Sequence, residues 1–152
     1  MDAERLQVLE TTLGHRFADP RLILRALTHA SYAHEHPPEA DQEPLAFVGD
    51  AALGLVVAER LLATLPTAAV GVLTPDRAEL VSGANLARWA AALDLGPLLR
   101  LGRGEDQSGG RERESILATT LEAVLGAVYL ERGLDGVRTI VTRLAGWPSR
   151  YA

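Results

Sequence analysis

Apolar residues recur every three or four positions along most of the chain, which is the spacing of one helix face. The first such segment, residues 5–13, is followed by Gly14, a common C-terminal stop for a helix. Asp19 and Pro20 combine an N-cap residue with a proline at the first helical position, and they predict a second helix over 21–32. No segment alternates apolar and polar residues as a half-buried strand does. The pattern therefore predicts an all-α fold.

The longest apolar segments come later in the chain. Residues 43–65 are far too long for a strand and are predicted as one helix. Residues 115–132 are predicted as another, which Gly133 ends. The remaining predicted segments are a polar loop over 34–42, a helix over 74–94, a glycine-rich charged loop over 100–113 and a short last helix over 135–145. A chain of 152 residues without an internal repeat is predicted to fold as one domain over residues 1–152.

The composition excludes several classes of protein. The chain has no cysteine, which excludes a disulfide scaffold, a thiolate zinc site and a cysteine nucleophile. It has no apolar run of about 18 residues and no basic signal segment, so we expect a cytoplasmic protein without membrane association. The net charge of −5 argues against a non-specific polyanion binder. All fifteen cationic side chains are arginine, which we attribute to composition bias; arginine also suits bidentate phosphate contacts, but an excess over the whole chain does not show that role.

Two isolated acids are the first candidates for chemistry. Asp50 lies inside the apolar helix over 43–65, and Glu43 precedes it by two helical turns on the same face. Glu122 is the only acid between positions 115 and 130. An ionised carboxylate in such surroundings is costly unless it is paired, hydrogen-bonded or metal-bound. Asp50 can pair with an arginine or cap a helix, and Glu122 can lie on the rim of a core helix. If the two helices cross at these residues, the pair can instead hold Mg²⁺.

The charged loop and the histidines are weaker candidates. Arg111 and Arg113 lie beside Gly109 and Gly110, where guanidinium groups and backbone N–H groups can bind a phosphate. Neighbouring acids offset most of that charge, so a solvated loop is an equal alternative. His29 is interpreted as a core or capping histidine, and no zinc site is proposed because no suitably spaced third ligand exists.

Four segments in order resemble the endonuclease domain of ribonuclease III. QEPLAFVGDAAL, residues 42–53, looks like the family signature NERLEFLGDAVL. SGGRERESILATTLEAVLGAVYLERG, residues 108–133, resembles the family segment SGGRERESILADAFEALLGAIYLD. The opening two helices and the middle of the chain are similar to the family as well, so the match covers nearly the whole sequence. The resemblance implies an all-α homodimer that hydrolyses both strands of duplex RNA with Mg²⁺ held by acidic residues.

The resemblance assigns roles by position. Asp50 matches the signature aspartate and Glu122 the distal glutamate, which implies that both are catalytic and metal-binding. Glu43 matches the acid at the start of the signature and is a further candidate metal ligand. Phe47 matches the aromatic side chain that the family inserts into a hollow on the partner subunit. The alternative for Phe47 is an ordinary core phenylalanine of one chain.

Three departures from the family pattern remove acids. Ala46 replaces the metal-binding glutamate of the signature, and Thr119 replaces the aspartate of the second motif. Val70 replaces a further acid in the middle segment. Ala46 and Thr119 alone reduce the four-carboxylate cluster of the family to Asp50 and Glu122, so Mg²⁺ is expected to bind weakly or not at all, with Mn²⁺ as the other metal to test. The resemblance also implies a double-stranded-RNA-binding domain after the endonuclease domain, and we expect this protein to lack it.

Three hypotheses follow from these observations. The first is a homodimeric ribonuclease III-like protein with lost or weakened activity, which binds structured or double-stranded RNA, ribosomal RNA included. The second is an active minimal endonuclease in which Asp50 and Glu122 hold one cation and Glu43 assists through water. The third is an unrelated all-α interaction module whose helices imitate the motifs. The first two predict a dimer interface around Phe47.

Overall fold

Eight α-helices make up most of residues 2–148, the part of the chain that the computed structural model describes. They are α1 (Ala3–Leu13), α2 (Pro20–Ala26), α3 (Ala30–Glu35), α4 (Glu43–Thr64), α5 (Val70–Leu80), α6 (Gly83–Ala92), α7 (Arg103–Gln107) and α8 (Glu114–Ala145). Two short 3₁₀ turns lie at Gly96–Leu98 and Gly110–Glu112. The all-α prediction is confirmed. None of the helices in this described part is long and apolar enough to cross a membrane.

The prediction of one continuous helix over 21–32 is wrong, because the structure divides this segment into α2 and α3. Between them, the backbone of Thr28 pairs in parallel with Arg100, which is distant in the sequence. The amide of Arg100 donates to the carbonyl of Leu27 at 2.8 Å, and the amide of His29 donates to the carbonyl of Arg100 at 3.0 Å. A tertiary contact has therefore taken backbone groups that a continuous helix would have used.

The helix predicted over 74–94 also divides in two, and its predicted start is wrong. α5 begins at Val70, so Pro75 lies inside the helix and not at its first position. The proline leaves the carbonyl of Gly71 without its helical donor, and water can supply that hydrogen bond because Gly71 is exposed. α6 starts separately because the side chain of Ser82 accepts a backbone N–H of its first turn.

α8 contains the break that the sequence predicts at Gly133. α8 extends from Glu114 to Ala145, but it consists of two helices joined at Gly133, which has φ 61° and ψ −160°. This conformation is one that glycine adopts with little strain and other residues avoid. The segments predicted as separate helices, 115–132 and 135–145, are therefore two helical halves that meet at a kink.

The core is centred on the contact between α4 and α8, and two glycines allow the helices to touch through their backbones. A Cβ atom on Gly49 would collide with the carbonyl oxygen of Glu122, and one on Gly126 would collide with that of Leu45. Around this crossing the side chains are fully or almost fully buried, at about 1.5–3 kcal/mol for each large apolar group. They include Leu53, Val56, Val57, Leu121, Val124 and Leu125.

Candidate active site

The close crossing of α4 and α8 brings Asp50 and Glu122 together. Gly49 precedes Asp50 and lies against the backbone of Glu122, so the two acidic residues project from adjacent turns of touching helices. Their carboxyl groups are close enough for Asp50 to raise the pKa of Glu122. Asp50 is exposed and Glu122 is half-buried, so the pair lies at the surface end of the crossing. The structure thus forms a carboxyl pair from two motifs that are distant in the sequence.

The carboxyl pair holds a proton more tightly than an isolated acid does. Burial raises the pKa of Glu122 to about 7, and the hydrogen bond and negative charge of Asp50 add to that increase. A second negative charge is unfavourable beside the first, so a shared proton stabilises the pair. Near neutral pH the crossing therefore carries less than the full charge of two carboxylates.

The positions at which the resemblance implies two more acids carry no charge. Ala46 lies one helical turn before Asp50, is buried, and has no oxygen in its side chain. Thr119 lies one turn before Glu122, and its hydroxyl donates to the carbonyl of Ser115 at 2.9 Å. The crossing therefore gains no anionic oxygen from either helix beyond the pair itself.

Glu43 does not join the pair. It lies about 10 Å along α4 from Asp50, because seven residues at 1.5 Å each separate them. Its charge acts on His29, whose pKa is lowered by burial against the opposing effects of Glu43 and Asp41. Within residues 2–148 no three acidic or histidine side chains gather closely enough to hold a metal ion.

These donors do not fit a two-metal magnesium centre. Mg²⁺ requires deprotonated oxygen ligands in an almost ideal octahedron, and a carboxyl pair with a shared proton has to lose that proton first. In the two-metal mechanism of in-line displacement, the ions lie about 4 Å apart and need several shared acids. Asp50 and Glu122 provide two carboxyl groups, and Ala46 and Thr119 provide no third or fourth.

Phe47 lies on the outer face of α4 with 80% of its surface exposed, which excludes the alternative of a core phenylalanine within one chain. Leu55 and Leu62 follow it on the same side of the helix and are 48% and 58% exposed. Large apolar side chains in one row on a helix are typical of a contact surface. We call these three residues the α4 outer stripe.

Arg111 and Arg113 are both used within the loop that contains them. One terminal nitrogen of Arg111 donates to the carbonyls of Gly96 and Leu99, at 3.1 and 2.6 Å. Arg113 forms an ion pair with Glu105. The segment predicted as a loop is thus an ordered connection that contains α7 and a 3₁₀ turn. Phosphate binding by these two arginines stays a prediction, and it would compete with the internal contacts.

Gln42 helps to position the pair, a role that the sequence patterns did not predict. Its side chain is almost completely buried, and its amide donates to the carbonyl of Ala26 at 2.7 Å and to the hydroxyl of Thr120 at 3.1 Å. These bonds join the start of α4 to α2 and α8, directly before the helix that carries Asp50. Two features of the sequence could have indicated this role: a glutamine at the first position of the signature and a threonine within an apolar helix.

Comparison with known proteins agrees with this architecture. A family model described as ribonuclease-III-like matches residues 19–145. Ribonuclease 3 of Syntrophobacter fumaroxidans is 44% identical over 144 residues, which are 93% of this chain and 60% of that protein. Ribonuclease 3 of Streptomyces coelicolor is 48% identical over 137 residues, which are 90% of this chain and 49% of that protein. The chain thus spans between half and three fifths of these relatives.

Solved structures match over the whole domain. The nuclease domain of ribonuclease III from Campylobacter jejuni superposes with a TM-score of 0.87 at 37% identity, covering 98% of this chain and 99% of that one. A second structure of that domain, with a TM-score of 0.86 and 39% identity over 91% and 94% of the two chains, shows structural flexibility in a region involved in dimer formation. Dicer from Pichia stipitis matches at a TM-score of 0.63 and 25% identity, over 86% of this chain and 56% of that one.

Proposed function

The chain belongs to the ribonuclease III-like family, and on that premise we propose that it binds structured, double-stranded RNA as a homodimer with lost or weakened endonuclease activity. The observation that carries this proposal is the chemistry of the α4–α8 crossing. Two carboxyl groups interact there, so that the pKa of Glu122 is raised, and the neighbouring turns offer alanine and threonine in place of acids. We also propose that ribosomal RNA is among the RNAs that the protein binds, and that the protein is located in the cytoplasm.

Weakened activity follows from what a metal ion would have to supply. In metal-assisted hydrolysis of a phosphodiester, Mg²⁺ activates a water and stabilises the leaving oxygen. Losing a group that merely orients a metal ligand costs about 10–100-fold in affinity or activity. Ala46 and Thr119 remove two direct ligands of the implied cluster, so we expect a combined loss of at least about 10²–10⁴-fold. Asp50 and Glu122 remain to bind or orient a substrate hydroxyl or water through their shared proton.

The deciding experiment restores the missing acids. A labelled RNA duplex is incubated with the wild-type protein and with the double variant A46E/T119D, in Mg²⁺ and separately in Mn²⁺. We expect little or no cleavage by the wild type and metal-dependent cleavage by the double variant. The matched control is A63E/T139D, which makes the same two changes at exposed positions of α4 and α8 and is expected to stay inactive.

One result would contradict the proposal. Efficient cleavage by the wild-type protein that D50A and E122A each abolish would establish an active enzyme with a two-carboxylate site. Thermal unfolding of every variant shows whether the substitutions at the buried position of Ala46 and the half-buried position of Thr119 leave the fold intact.

The second candidate function is an active minimal endonuclease, and the pairing of Asp50 with Glu122 is the observation in its favour. In that case the pair holds one cation and Glu43 assists through a water molecule. Calorimetric titration of Mg²⁺ into the protein separates the two functions. We expect no saturable site at millimolar Mg²⁺ without RNA, because two carboxyl groups that lack the phosphate oxygens of a substrate are few anionic ligands for this ion. A saturable site that D50N/E122Q removes would favour the minimal endonuclease.

A further inference from the structure

Three arginines at the corner between α1 and α8 have no acidic partner. Arg16, Arg132 and Arg143 are exposed, and none of them forms an ion pair with a carboxylate of residues 2–148. The arginines that do form such pairs are Arg5, Arg21, Arg100, Arg111, Arg113 and Arg138. In a chain with a net charge of −5, three unpaired arginines at one corner form a local excess of positive charge.

The three side chains converge on the turn after α1, and glycines make room for two of them. A Cβ atom on Gly14 would collide with the guanidinium of Arg143, which lies against this turn and donates to the carbonyl of Thr12 at 3.5 Å. A Cβ atom on Gly136 would lie 2.6 Å from the Cβ atom of Arg132, so the stem of Arg132 occupies that space. Arg132 lines one small cavity together with Gly14, and Arg16 lines the neighbouring groove, which Gly14 also borders.

The acids of this corner are directed elsewhere. Glu131 accepts hydrogen bonds from the ring of His15 and from the amide of Asp19, both at 2.8 Å. Glu10 accepts from the amide of Phe17 at 3.4 Å. These carboxylates hold the α1–α2 connection against α8, and neither of them forms an ion pair with Arg16, Arg132 or Arg143. We call Arg16, Arg132 and Arg143 the arginine corner.

We propose that the arginine corner contacts the phosphate backbone of RNA, at a site separate from the α4–α8 crossing; this inference rests on the proposed RNA-binding function. Guanidinium groups present paired N–H donors that fit the oxygens of a phosphodiester, and those without a carboxylate partner can bind without first breaking an ion pair. Arg132 is ten residues beyond Glu122, or about 15 Å along α8. The corner thus adds affinity along the duplex without reading its sequence.

The test measures the affinity and the salt dependence of RNA binding by fluorescence anisotropy. A labelled RNA duplex is titrated with the wild-type protein and with the variant R16Q/R132Q/R143Q over a series of salt concentrations. We expect the dissociation constant of the triple variant to rise about tenfold or more at low salt. We also expect the slope of log Kd against log salt to fall by about 2–3, because each phosphate contact contributes slightly less than one to that slope.

A matched control removes the same charge elsewhere. R21Q/R77Q/R88Q replaces three exposed arginines outside the corner, and its dissociation constant is expected to stay within about threefold of the wild type. Because the guanidinium of Arg143 contacts the end of α1, the double variant R16Q/R132Q serves as a second measurement if the triple variant unfolds at a lower temperature. It is expected to give an intermediate loss of affinity and of salt slope.

Three other outcomes would each contradict a part of this proposal. Equal affinity and slope for the wild type and both corner variants would overturn the arginine corner while leaving RNA binding intact. A wild-type protein that binds no duplex at any salt concentration would overturn the proposed RNA function and the corner together. A corner that loses affinity for polyglutamate but not for RNA would show that its ligand is an acidic protein, which overturns the assignment to RNA.

Discussion

At the scale of single residues, two uncharged side chains, those of Ala46 and Thr119, determine how many carboxylates lie at the α4–α8 crossing. Thr119 and Ala46 lie one turn before Glu122 and Asp50, where a carboxylate would point toward the pair. Thr119 instead bonds to its own helix, and Ala46 is buried among apolar groups. The remaining two carboxyl groups therefore interact with each other, and a shared proton reduces their repulsion.

This shared proton predicts how stability depends on pH. The pKa of Glu122 rises from its ordinary value of 4.5 to about 7 on folding, so the folded state binds more protons than the unfolded state between those two values. The contribution of Glu122 is therefore complete below about pH 4.5 and is lost as the pH rises through about 7. We expect the free energy of unfolding of the wild type to decline over this interval.

The measurement is urea unfolding at a series of pH values. E122Q removes the titrating group, so its stability is expected to change less between pH 5 and 8 than that of the wild type. The exposed Asp135 provides the control, since D135N is expected to keep the decline. The same pH dependence in E122Q and the wild type would show that the proton is not held at this pair.

At the scale of elements, the crossing of α4 and α8 determines which residues meet. Gly49 and Gly126 place the two helix backbones in direct contact, and Gln42 joins the start of α4 to α2 and α8. A larger residue at either glycine would separate the helices and with them Asp50 and Glu122. Substituting either glycine is therefore expected to disrupt the site as much as substituting one of the acids does, although glycine has no reactive side chain.

A pair of glycine substitutions tests this view of the crossing. G126A is expected to lower the free energy of unfolding by about 2–3 kcal/mol, because the added methyl group collides with the carbonyl of Leu45. G71A adds the same methyl group on α5, where nothing lies within 4 Å, and it is expected to raise stability by about 0.5–1 kcal/mol through helix propensity. Denaturant unfolding measures both, and a tolerated G126A would mean that the helices are less close than described.

At the scale of the whole molecule, one row of exposed apolar side chains has no partner within residues 2–148. The α4 outer stripe consists of Phe47, Leu55 and Leu62, and Phe47 is the most exposed of them. Burying such a row against a second copy removes apolar surface from water without changing the fold. A two-fold dimer seated on α4 is the arrangement that we propose.

Sedimentation analysis tests the dimer. The wild type is expected to sediment at about twice its chain mass of 16.3 kDa, and F47D is expected to shift toward the monomer because a carboxylate cannot be buried in an apolar hollow. Val8 on α1 is 64% exposed and provides the control V8D, which is expected to remain dimeric. A wild-type protein that remains monomeric at micromolar concentration would contradict the α4 interface.

The sequence alone determined the helical class, the bounds of α4 within a residue or two, and the break at Gly133. These features depend on local properties, namely apolar periodicity and the backbone freedom of glycine. It also determined which residue types stand at the motif positions, and hence that two acids of the implied cluster are absent. It did not predict the division between α2 and α3, because the backbone of Thr28 pairs with Arg100 across the fold.

Only the tertiary structure decided how these residues act on one another. It placed Asp50 beside Glu122 and left Glu43 outside the pair, although all three are acids on apolar helices. It also turned Arg111 inward to backbone carbonyls and left the arginine corner facing solvent. Charge and hydrogen bonding act over distances of a few ångströms, and those distances are set by the packing of segments far apart in the chain.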